Sequence, residues 1–163
     1  MKFGISRSVG GTKGVNYRSE ADAAAWSYIM AEQLVLGDVV RQLALLMKEE
    51  GIVLAFKNEE PWHLLFFRMK QELATDGPSF LRRLRFDADN RYPRCRELSE
   101  FLHALHTTCT AGVENPYFDE LELDQDVTRV WREAQQHLKP ETKQFLSQSL
   151  RIACEEFPHK PNA

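Results

Sequence analysis

Apolar residues recur every three or four positions along most of this chain, a spacing that predicts amphipathic helices. An Ala-rich stretch from Ser19 runs to Leu36 and puts Trp26, Ile29, Met30 and Leu34 near one face. Ser19 suits its N-cap, Glu20 and Asp22 suit its positive end, and Gly37 is the expected stop. Asp38 is the expected cap of a second helix, with Val39, Val40, Leu43, Leu46 and Met47 as its stripe and Gly51 at C′. Residues 52–56 read as an extended connection or a continuation of that helix. A third helix follows Asn58, with Glu59, Glu60 and Pro61 in its first turn and Trp62, Leu65, Phe66 and Met69 facing inward. Ser79 caps a short helix over 80–86, and Asp87, Ala88, Asp89 and Asn90 favour a turn. Pro93 opens a helix that carries Leu98, Phe101, Leu102 and Leu105 to about Thr110, before Gly112. Asp126 and Thr128 begin the next, whose expected buried side is Val127, Val130, Trp131 and Ala134. Pro140 starts the last, with Phe145, Leu146, Leu150, Ile152 and Ala153, closed by Phe157 and Pro158.

Six or seven helices joined by short gaps, with no period-2 segment, predict an all-α, single-domain bundle. No internal repeat or low-complexity linker divides it. Residues 1–18 hold Gly4, Gly10, Gly11 and Gly14, four basic residues and no acid, and read as a flexible basic arm. The expected organisation is that arm, a helical domain over 19–157 and a mobile tail over 158–163. Gly10-Gly11-Thr12-Lys13-Gly14 is not a phosphate loop, because Gly14 stands where Ser or Thr must follow the lysine and no strand precedes it.

At 163 residues the chain is long enough for one sizeable core, and its 43% hydrophobic content is near the globular norm. A net charge of −3 argues against polyanion binding over the whole surface, so such binding requires a local patch. Cys95, Cys109 and Cys154 are odd in number and widely spaced, and read as free thiols of a reducing compartment. The N-terminal residues lack the apolar core of a signal peptide, and no apolar run is long enough for a membrane span. The expectation is a cytoplasmic protein.

Residues 82–96 supply the patch. They contain Arg82, Arg83, Arg85, Arg91, Arg94 and Arg96 against Asp87 and Asp89, a local charge of +4 with Phe86 and Tyr92 interleaved. Guanidinium forks pair with phosphate and aromatics stack on bases, so these six arginines are the candidate nucleic-acid-binding residues. The competing reading pairs them with the acidic stretch 114–126, which holds six acids and no base. A third makes either patch the docking surface of a protein adaptor, with self-association of opposite patches giving a head-to-tail array.

Other chemistry is sparse. His63, alone on an aromatic-rich helix, reads as a core-edge histidine. Cys95, His103, His106 and Cys109 fall near one face, but zinc sites gather ligands from two elements with paired spacings. Residues 87–90 resemble the start of a calcium loop, yet Tyr92 and Leu98 stand where it needs Gly and Glu. Arg132 to His137 and Arg96 to His103 match the Arg-x4–6-His motif of HEPN-superfamily ribonucleases. About one chance match of so permissive a motif is expected, and Glu133 and Glu97 stand where the family has another polar residue. No nucleophile–base arrangement is visible, so no catalytic residue, metal or cofactor is expected.

Over residues 79–150 the chain resembles the small subunit of Cascade-type CRISPR surveillance complexes. The resemblance is carried by Phe80, Leu81 and Leu84, then Asp87-Ala88-Asp89, then the helix with Leu98, Leu102 and Leu105. Phe118-Asp119 and the closing Asp126-Val127-Thr128-Arg129-Val130-Trp131 follow in the same order. It implies an all-helical, non-catalytic subunit of a protein–RNA complex that takes part in antiviral defence. Such a subunit steadies a single or guide-bound strand through its basic surface, beside other protein subunits and away from membranes.

Overall fold

The computed structural model describes residues 34–54, 58–107, 123 and 125–159. These form six helices: α1 (Leu36–Glu49), α2 (Glu60–Leu73), α3 (Ser79–Arg83), α4 (Arg96–Thr107), α5 (Gln125–Gln136) and α6 (Pro140–Glu156). The architecture is an all-α single-domain bundle, as the 3.6-residue periodicity predicts. The arm over 1–18 and nearly all of the helix expected over 19–36 lie outside the described residues. So does most of the acidic stretch.

α1 is buried on most sides, its polar Asp38 and Gln42 included. Val39, Val40, Leu43, Ala44, Leu45 and Met47 are fully buried, because α6 packs on one side and α5 on another. α2 lies on α6 and carries α3 beside it, and its Trp62, Leu65, Phe66 and Met69 join the same core. Each such large apolar side chain removed from water contributes roughly 1.5–3 kcal/mol, offset by the entropy of ordering it. Trp62 meets Phe157 edge-on with centroids 5.2 Å apart, which pins the end of α6 to the start of α2.

Gly51 ends α1 as expected. It has φ +73°, and the Ile52 and Gly51 amides return to the Met47 and Lys48 carbonyls at 2.9 and 3.1 Å, a Schellman closure. Residues 52–54 then run extended: Ile52 bridges His159, and the Val53 amide donates to the Pro158 carbonyl at 3.0 Å. His159 Nε2 also donates to the Cys154 carbonyl at 2.9 Å. Residues 160–163 lie outside the description.

Four local expectations change. Gly37 stops no helix: Leu34 and Val35 are non-helical, and Leu36, Gly37 and Asp38 form the first turn of α1. The glycine serves packing, since a Cβ there would stand 2.8 Å from Phe101 Cε2 on α4. Asp38 is buried within that turn rather than capping it. Burial raises its carboxyl, against the pull of Arg41 at 3.5 Å and a backbone bond at Val35. Helix α3 ends at Arg83 and α4 begins at Arg96, each three residues inside the expected bound, because the chain between them pairs with itself. Val130 of α5 is 55% exposed, and Trp131 is the one buried residue of that helix. Among the described residues, no helix is long and apolar enough to cross a membrane.

Candidate nucleic-acid interface

The six arginines lie on and around a closed turn. The Asp87 amide donates to the Arg94 carbonyl at 2.8 Å, and the Arg94 amide returns to the Asp87 carbonyl at 3.0 Å, an isolated antiparallel bridge. The Asp87 carboxylate accepts the Asp89 amide at 3.0 Å and the Asn90 side-chain amide at 3.2 Å, which fixes the turn.

Extended chain alternates its side chains. Across the bridge Arg85, Asp87, Arg94 and Arg96 fall outward, while Phe86 and Cys95 fall inward. Cys95 is fully buried, and Phe86 meets Phe67 of α2 edge-on at 5.3 Å. The outward residues line an open groove of about 520 Å³ together with the half-buried Phe86 and with Glu97 and Glu100 of α4.

All six arginines are exposed, and their partners separate them. Arg96 donates to Glu100 at 2.8 Å, and Arg82 to the Ala74 carbonyl at 2.9 Å. Among the described residues Arg85 and Arg94 make no side-chain hydrogen bond, although Arg85 is close enough for its charge to act on Glu97. Glu97 is held below the ordinary carboxylate range first by its own backbone amide and then by the Cys95 thiol, against burial, with Arg85 and Arg96 adding to the pull. Arg82, Arg83 and Arg91 are exposed but do not line the groove. Inside it three guanidiniums face three carboxylates, so the surface is less positive than residues 82–96 alone suggest.

Glu97 and Glu100 were missing from the sequence-level site because the arginine-rich run was closed at Arg96, one residue before Glu97. The usable signal is the pair of triplets Arg85-Phe86-Asp87 and Arg94-Cys95-Arg96, each polar–apolar–polar. Of the stretch 114–126, the described residues are Leu123, Gln125 and Asp126, with Asp126 accepting Arg129 at 3.0 Å. The acids recorded beside the arginines are local ones.

His63 lies beneath this turn and is completely buried, deeper than a core-edge position. Its Nδ1 accepts the Cys95 amide at 3.1 Å, so the neutral ring carries its proton on Nε2. Nε2 faces Ser99 Oγ at 3.1 Å and Glu59 Oε2 at 3.3 Å, and the Ser99 hydroxyl donates to the same Glu59 oxygen at 2.8 Å. Serine, histidine and glutamate thus meet, but not as a nucleophile and its base. The carboxylate is on the serine side of the ring and Nδ1 is occupied, so Nε2 has no free lone pair to take the serine proton. Burial lowers His63, with Glu59 opposing and Arg94 assisting.

The remaining motifs do not converge. Arg132 is paired with Glu49 at 2.7 Å, and His137 lies past the end of α5. Arg96 is tied to Glu100, with His103 exposed two turns on. Cys95 is buried and His103 exposed, so these two do not share a face; the side chains of His106 and Cys109 lie outside the described residues. Among the described residues no three His, Cys, Asp or Glu side chains group as metal ligands. The chain matches no protein-family model, no curated protein and no solved structure.

Proposed function

We propose that this chain is a non-catalytic helical subunit that holds a nucleic-acid backbone on the face built from Arg82, Arg83, Arg85, Arg91, Arg94 and Arg96. The supporting observation is the bridge between Asp87 and Arg94, which turns Arg85 and Arg94 outward over one groove with their guanidiniums unclaimed by hydrogen bonds. Paired forks on a fixed turn match phosphate oxygens and carry no base code, so the strand is held without being read. The resemblance over residues 79–150 supports a place in a larger cytoplasmic protein–RNA complex, with a single or guide-bound strand as the ligand.

Fluorescence anisotropy with labelled single-stranded RNA and DNA tests this. Binding should weaken as salt rises and fall at least about tenfold on Arg85→Ala/Arg94→Ala, since each charge-assisted contact is worth about 1.5–3 kcal/mol. Salt-insensitive binding, or none, overturns it. Cleavage of the RNA probe would instead support the ribonuclease.

The carboxylates in the groove favour a second reading, a helical adaptor whose alternating charges meet a protein of complementary pattern. Arg85→Glu/Arg94→Glu that leaves oligonucleotide binding intact but breaks a protein assembly selects this one.

A further inference from the structure

The bond from the Cys95 amide to His63 ties the arginine face to a buried titratable group of the core. Cys95 lies between Arg94 and Arg96, both of which line the groove. Among the described residues its amide has no carbonyl partner and depends on the lone pair of His63 Nδ1. The Tyr92 ring lies over the His63 ring at 5.5 Å and 35°, so the imidazole contacts the turn at a second point. A buried amide stripped of its acceptor is costly, and an imidazolium, which donates at both nitrogens, cannot accept.

We propose that His63 is the positioning residue of the arginine face and a proton-operated latch. Its neutral ring, by accepting the Cys95 amide, holds residues 87–96 in the form that presents Arg85, Arg94 and Arg96, and protonation at Nδ1 releases them. As regulation of that face, the inference rests on the phosphate-binding reading above, while the latch itself is judged without any ligand. The charged and titratable groups recorded around the ring are Glu59 before α2, Arg94 and Tyr92 on the turn, and Cys95 with its partner Glu97 at the start of α4. Glu59 favours the imidazolium, whereas burial and Arg94 oppose it. Ser99 and Glu59 fix the Nε2 side, so the entering proton has one place to go, the lone pair that holds Cys95.

The sign follows. In the released turn His63 titrates near its ordinary 6.5 and in the latched turn below that value, so released turns bind more protons as pH falls. Opening of residues 87–96 should rise by up to about tenfold per pH unit below roughly 6.5, levelling at the latched ring's own titration.

The test is amide hydrogen exchange on the full chain from pH 7.5 to 4.5, corrected for the intrinsic pH dependence of exchange. Residues 84–98 should lose protection with that slope while staying less protected than residues 145–153 of α6 at every pH, and His63→Gln should abolish the slope. A flat profile, a turn that opens only together with α6, or an unchanged slope in His63→Gln overturns the latch. If that variant does not fold, NMR on wild type decides: the Cys95 and Arg96 amide shifts must follow the titration of the His63 ring, and a ring that titrates without them overturns it. Oligonucleotide binding at pH 7.5 is scored separately. Its absence removes the phosphate-binding reading and leaves the latch to stand or fall on exchange.

Discussion

Two glycines on α1 look alike in sequence and act differently. Gly51 carries φ +73° with open space around it, so Gly51→Ala is penalised by the left-handed backbone, roughly 1–2 kcal/mol. Gly37 lies in ordinary helix, and Gly37→Ala would drive a methyl into Phe101, costing about 1–3 kcal/mol unless that ring shifts. Equilibrium unfolding separates them: Gly37→Ala paired with Phe101→Leu should recover stability, and Gly51→Ala with that change should not. Gly51 was legible in the sequence because a C′ glycine is marked by its own helix. Gly37 was misread because contact with a residue far along the chain leaves no local trace. His63 behaves similarly: a lone histidine announces burial, but not that its partners come from residues 59, 95 and 99. Its depressed folded-state titration means that the neutral ring's stabilisation is complete above about 6.5. It is lost as pH falls through the folded value, by at most about 1.4 kcal/mol per unit. Denaturant unfolding at pH 7.5 and 5 should show this loss in wild type and not in His63→Gln.

Beyond the shared apolar core, a few polar side chains reach between helices. Arg68 of α2 donates to Glu155 at 2.7 Å, Glu156 at 2.8 Å and Glu72 at 3.0 Å, and the three carboxylates raise its affinity for its proton. The pairs are part-exposed, so screening keeps them weak. Arg68→Ala should cost about 1 kcal/mol at low salt, much less at 1 M, and should loosen the end of α6 with the Ile52–His159 bridge. Salt-dependent denaturation of both proteins measures the difference. α5 is attached to α1 by Arg132 to Glu49 at 2.7 Å and by Gln42 Nε2 to the Trp131 carbonyl at 3.1 Å. The existence of each described helix was legible from its apolar period, because burial enforces that period. The inner bounds of α3 and α4 were not, because Asp87 and Arg94 take each other's backbone bonds, a choice set by tertiary pairing. Val130 was misplaced for a related reason: an apolar residue at helical spacing states a preference for burial, and the neighbours decide whether it is met.

At the scale of the whole molecule the net charge of −3 and the local arginine face act against each other. Long-range attraction for a polyanion is absent, so association has to be driven by contacts formed within about a Debye length, 8–10 Å at ordinary salt. The number of such contacts is readable from salt dependence. For single strands the slope of log K against log salt is about −0.7 per phosphate engaged. If Arg85 and Arg94 act alone, with Arg96 held by Glu100 and Arg82 by the Ala74 carbonyl, the slope should be roughly −1.4. If all six guanidiniums engage, it should approach about −4. The groove's three carboxylates favour the smaller value, because Asp87, Glu97 and Glu100 line the same groove and would repel any phosphate beyond those two. Glu100→Gln then becomes the informative variant. Freeing Arg96 should make the slope steeper by about 0.7 and tighten binding at low salt, with no change in preference among oligonucleotide sequences. A slope unchanged by Glu100→Gln but abolished by Arg85→Ala/Arg94→Ala would confine the contact to those two residues.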